Sequence, residues 1–94
     1  MTVKLSIRFG EENRVLHLRG REAWAMRKLV EAGETGCTPF NAPGPRWSHY
    51  VHRLRGYGLP VETIHEPHGG PFPGHHARYV LRINVEVIEQ GEAA

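Results

Sequence analysis

Pro39, Pro43 and Pro45 stand within seven residues of one another, between two segments with helical periodicity. Proline lacks a backbone N–H and disfavours helical backbone in the residue before it, so no long helix passes through this stretch. Thr38-Pro39 reads as a helix start, a hydroxyl cap followed by proline at the first helical position. Pro43 stops that helix after about a turn and a half, and Gly44-Pro45 opens the next one. Two longer helices must therefore meet across a tight connection holding a very short middle helix.

The first longer helix spans Gly20 to Ala32. At about 100° per residue, Ala23, Met26, Leu29 and Val30 share a face, with Ala25 at its edge and Arg27, Lys28 and Glu31 opposite. Trp24 falls among the charges and needs a cover, for which the N-terminal strands are the nearest source. Gly33 and Gly36 end the helix. In the second longer helix, residues 46–57, Trp47, Tyr50, Val51, Leu54 and Tyr57 span one arc. Arg46, Ser48, His49, His52, Arg53 and Arg55 occupy the rest, with no acid among them. Solubility alone is served by mixed signs, because Glu–Lys pairs at i,i+4 contribute about 0.2–0.5 kcal/mol each. A helix apolar on one side and basic, His and Ser on the other points to a negatively charged partner.

Strands flank these helices. Val3, Leu5, Ile7 and Phe9 alternate with polar residues, and with a turn at Gly10–Asn13 and a strand from Arg14 to Leu18 they predict an N-terminal β-hairpin over 3–18. Residues 61–66 and 76–83 predict a second hairpin, joined by the Pro/Gly/His-rich loop 67–75. Segment 84–94 carries Glu86, Glu89 and Glu92 and is expected to be a frayed acidic tail, with a weak strand pattern over 84–90. The alternating segments 3–9 and 84–90 are edge-strand candidates for pairing between chains, which makes a homodimer an expectation.

At 94 residues the chain suits one domain, 1–94. Its elements give an α+β class: an added N-terminal hairpin, a helix-turn-helix over 20–57 with three helices, and a C-terminal hairpin over 61–83. A basic helix after a short connection, followed by a hairpin with a decorated loop, is the winged helix-turn-helix order, in which the second helix of the motif enters the DNA major groove and the hairpin is the wing. No apolar run approaches the roughly 20 residues of a membrane span. The charged N-terminal segment predicts no secretory leader, and the single Cys37 excludes an internal disulfide; both fit a reducing cytoplasmic setting.

The runs GCTPFNAPGPRWSHYV and EPHGGPFPGHHARYVL carry a more specific signal. Over about residues 18–83 the chain resembles the small winged-helix domain proteins of bacteria and their prophages. The resemblance implies a winged helix and, through the fold, DNA binding. Where it leads one to expect Thr at the cap of the first helix, this chain has Arg19-Gly20.

The net charge is only +2, but residues 45–82 hold five arginines against two glutamates, with six of the seven histidines. The predicted partner is double-stranded DNA, bound sequence-specifically for transcription regulation. Arg46, Ser48, His49, His52 and Arg53 are the groove candidates, because arginine bonds guanine or phosphate and neutral His and Ser bond either. His75, His76 and Arg78 are the wing candidates. Phe72 could act as a minor-groove wedge, although a loop Phe more often pins its own loop. Trp47, Tyr50 and Tyr57 share the arc of Val51 and Leu54 and are expected in the core. The alternative is a winged-helix protein-interaction module, which the low net charge and the position of Trp24 favour. His49-x-x-His52 with one cysteine lacks the ligand set of a structural zinc site, so neither metal nor cofactor is expected. No nucleophile elbow, P-loop or paired-carboxylate motif is present, so no enzyme is predicted.

Overall fold

The apolar alternation of the first segment builds the floor of the molecule. The computed structural model describes residues 2–44, 46–69 and 74–93. Strand β1 (Thr2–Phe9) buries Leu5, Ile7 and Phe9 and turns through Gly10–Asn13 into β2 (Arg14–Arg19). Lys4 opposes Arg19 and Phe9 opposes Arg14 in this antiparallel pair. Helix α1 (Gly20–Ala32) follows at once and lays Ala23, Ala25, Met26 and Leu29 against the sheet. Its N-cap, Arg19, makes no side-chain capping bond, so no side-chain acceptor serves the first turn.

Gly33–Thr35 tighten into a 3₁₀ turn, and the chain then runs beside the wing. The expected middle helix is absent. In its place Thr38, almost wholly buried, caps a single turn: its hydroxyl accepts from the Phe40 and Asn41 amides, both at 3.2 Å. Asn41 Oδ1 in return accepts the Thr38 amide at 2.8 Å. One helical bond closes, Ala42 N–H to Thr38 O at 3.0 Å. Pro43 has no N–H to add the next, so among the described residues the three-helix expectation becomes two α-helices and a capped turn.

Helix α2 (Trp47–Gly56) buries Trp47, Tyr50, Val51 and Leu54, the arc expected for the core. Trp47 donates its indole N–H to Ala42 O at 2.8 Å and stacks on Tyr79 at 5.9 Å between centroids. Trp24 is covered from this side as well, while Thr2 and Val3 of the N-terminal hairpin line the same hollow as its ring. Its ring lies 5.4 Å from that of Trp47, and a Cβ on Gly44 would sit 2.7 Å from the Trp24 indole.

The wing is an antiparallel pair, β3 (Val61–His68) and β4 (Gly74–Leu81). It reaches further toward the tip than the expected strands and ends earlier at its base. Pro67 is accommodated because, among the described residues, β3 pairs on one side only. Cys37 joins the other edge of β4 through a single bridge: its amide and carbonyl exchange 2.9 Å bonds with those of Tyr79. The helix-turn segment and the wing are thus stitched together at backbone level.

The acidic tail is not frayed. Residues Val85–Ala93 form β5, antiparallel to β1 along its length, and Arg8 holds Glu86 at 3.2 Å. Partner supply explains the difference: β1 had an open edge, and β5 offers Val85 and Val87 opposite Phe9 and Ile7. The sheet order β2-β1-β5 places β1 in the centre. Both its edges are used within the chain, so residues 3–9 are not available to pair with a second copy.

Candidate nucleic-acid interface

Helix α2 starts abruptly. Arg46 adopts a left-handed conformation (φ 66°) and its carbonyl accepts the His49 and Tyr50 amides at 3.0 and 3.2 Å. Its side chain is exposed, as are those of Ser48, His49, His52, Arg53 and Arg55. With Trp47, Tyr50, Val51 and Leu54 inward, a turn of about 100° per residue puts His52, Gly56 and His49 at the middle of the solvent face. The two later arginines are displaced to its flanks.

Those flanking arginines are engaged. Arg55 donates from Nε and Nη2 to Val61 O at 2.9 and 2.6 Å, and from Nη2 to Thr63 Oγ1 at 2.7 Å, joining α2 to the first wing strand. Arg53 donates from Nη2 to the Tyr57 hydroxyl at 3.1 Å, with Nε 3.6 Å from Glu22 Oε1 of helix α1. The Tyr57 hydroxyl in turn donates to Glu22 Oε1 at 2.5 Å. The carboxylate on its hydroxyl pushes the Tyr57 phenol above its ordinary range, and the bond to Tyr57 raises the Arg53 guanidinium further.

The wing candidates separate onto two faces. Strand alternation puts His75, with Ala77 and Tyr79, on the side against which Trp47 packs. His65 falls on the same side, since it opposes Ala77 in register, and both histidines are exposed. His76 and Arg78 lie on the opposite face, where they form a brace. Glu66 accepts from Arg78 Nε at 3.0 Å and Nη2 at 2.7 Å and pairs with His76 Nε2 at 2.7 Å. Arg78 Nη1 also donates to Thr35 O at 2.6 Å, and the Phe40 ring sits edge-on to His76 at 4.9 Å. The Arg78 and His76 bonds hold the Glu66 carboxyl below the usual carboxylate range. Phe72 lies outside the described residues.

The predicted set is therefore divided. Arg46, Ser48, His49 and His52 share the open face of α2, with His75 on the wing's α2 side. Arg53 is tethered at the rim, and His76 and Arg78 serve the wing's own structure. His65 was not among the candidates as a partner contact; its signal was the period of two through Val61, Thr63 and His65, which keeps these residues on one face. Glu22 and Tyr57 carried no local mark, because their relation to Arg53 exists only once α1 and α2 pack.

A helix pair with a tight capped turn, the second helix basic outward and backed by a bridged β-hairpin, defines a winged-helix protein. The chain belongs to the Winged helix domain family, which matches residues 15–91. No curated protein and no solved structure matches it. Among the described residues no helix is long and apolar enough to cross a membrane.

Proposed function

We propose that the chain binds double-stranded DNA sequence-specifically, as a transcriptional regulator acting in the bacterial cytoplasm. Helix α2 enters the major groove, whose width of about 12 Å admits an α-helix. The wing lies along the flanking backbone or minor groove. One observation carries this reading: the open face of α2 is free of acids and presents Arg46, Ser48, His49 and His52 together, with His75 on the wing's same side. Arg46 stands at the amino end of the helix, where recognition helices meet base edges. The function is one of binding, with no catalytic step and no cofactor.

The test is a salt titration of binding to random-sequence and selected duplexes. Affinity should fall linearly in log[salt], and Arg46→Ala should weaken every duplex and lower the slope by about one if Arg46 meets phosphate. If Arg46 reads a base, the loss is confined to one position. Absence of binding at low salt refutes the reading. A protein-interaction role would then take its place, favoured by Phe40, which is 65% exposed beside the wing.

A further inference from the structure

We propose that Glu22 and Tyr57 are positioning residues that hold Arg53 so that it reads a guanine edge; this rests on the DNA-binding reading of α2. A guanidinium has two bidentate edges. One is formed by Nε and the nearer N–H of Nη2, the other by Nη1 and the outer N–H of Nη2. In Arg53 the first edge is taken: Nη2 donates to Tyr57 Oη at 3.1 Å, and Nε faces Glu22 Oε1 at 3.6 Å. Tyr57 has one hydroxyl proton and donates it to Glu22 at 2.5 Å, so it can only accept from Arg53. The Arg53 guanidinium also lies 5.7 Å from the Tyr57 ring centroid. The Tyr57 phenol and the Glu22 carboxylate orient this side chain, which is still half exposed. Its second edge points away from these contacts with two parallel donors.

Two acceptors side by side answer such a fork, and DNA offers them as guanine O6 and N7 or as two phosphate oxygens. Charge separates the two. Glu22 cancels the charge of Arg53 and stands beside it, so a phosphate seated on the fork is repelled by the carboxylate behind it. The guanine edge is neutral and meets no such repulsion. The same device already operates elsewhere in this chain. Arg78 is held along its Nε/Nη2 edge by Glu66, and its Nη1 is delivered to a neutral acceptor, the Thr35 carbonyl, at 2.6 Å. In Arg53 the corresponding nitrogen has no partner among the described residues. The arginine is thus suited to discrimination rather than to general attraction, and the orientation is set by a residue from the other helix.

The experiment uses the full chain and a pool of random 20-base-pair duplexes. The wild type selects a preferred duplex, and affinities are then measured for it, for each single-pair change and for an unselected mixture, at several salt concentrations. Tyr57→Phe keeps every charge and loses the phenol bonds; Arg53→Lys keeps the charge and loses the fork; Glu22→Gln loses the charge. The selected duplex should contain a G whose replacement costs the wild type about 5- to 150-fold, the range of one bidentate base contact. Tyr57→Phe and Arg53→Lys should shrink that penalty several-fold at this position alone, with an unchanged salt slope. Glu22→Gln should shrink it while binding the unselected mixture more tightly, with a slope steeper by about one. Ratios between duplexes do not depend on the folded fraction, so a less stable variant still reports. If Tyr57→Phe and Glu22→Gln keep the wild-type preference at every position, the proposal is overturned and DNA binding stands. If the wild type binds no duplex, both are overturned.

Discussion

Gly36 is where the wing meets the helices, and Gly36→Ala should loosen that junction by a calculable amount. The residue has φ 74° and ψ 178°, a backbone region essentially confined to glycine, where a side chain costs roughly 1–3 kcal/mol. An alanine Cβ would also lie 2.8 Å from both Tyr79 O and Val80 Cγ2, and 3.0 Å from Arg78 Cγ. Two of these neighbours are packed and one is backbone, so the strand must move. Movement stretches the paired Cys37–Tyr79 bonds, each worth about 0.5–1.5 kcal/mol. The expected loss is about 2–6 kcal/mol, against a total stability for a domain of roughly 5–15 kcal/mol. Urea unfolding followed by tryptophan fluorescence measures it, since Trp47 stacks on Tyr79 next to the bridge. The midpoint should drop with no change in slope. Gly56→Ala is the control. Gly56 lies in α2 with no atom near the position of an added Cβ, and alanine there should stabilise by about 0.5–1 kcal/mol. A Gly36→Ala loss below about 0.5 kcal/mol, smaller than either cost alone, would refute the reasoning.

Glu66 has a folded pKa below its ordinary value, so its contribution is complete above the unfolded value and is lost as pH falls through the folded one. Glu66→Gln should therefore destabilise at neutral pH and flatten the acid limb of a melting-temperature series. Burial pushes the Cys37 thiol from 9.0 up to about 11, which leaves roughly a hundredfold less thiolate at pH 8. Ellman's reagent should react slowly with the native chain and quickly in urea; equal rates would contradict the burial. His49→Gln/His52→Gln should weaken binding of the selected duplex several-fold, and an unchanged affinity in the same salt titration would take both residues off the interface.

Local signals carried the helices and the first hairpin. Met26 and Leu29, or Trp47, Val51 and Leu54, announce a face by spacing alone, and that face is the buried one. What sequence could not supply was partner choice. Residues 84–90 alternate only weakly, and their strand forms because β1 has an edge to complete. The middle helix had a good cap and a good first residue, but its length was decided by which amides remained to be bonded before Pro43. Basic residues were legible as basic, yet not as free or spent. Arg78 and Glu66 are twelve positions apart in the chain and become neighbours only through the register of the wing. Arg46, Ser48, His49 and His52 are exposed as expected, and among the described residues Arg46, His49 and His52 form no ion pair.

The pairing of β5 with β1 also sets an order of events for folding. The strand made first waits for nearly the whole described chain before its second neighbour exists, and until then one edge of the floor beneath α1 is open. Contacts of such long sequence separation slow folding, because loop closure must precede the reward. The helix–turn–helix and wing, whose contacts are nearer in sequence, can consolidate earlier. A nascent or truncated chain lacking β5 would expose the backbone of a strand built from Leu5, Ile7 and Phe9, and so would be the aggregation-prone form of this protein.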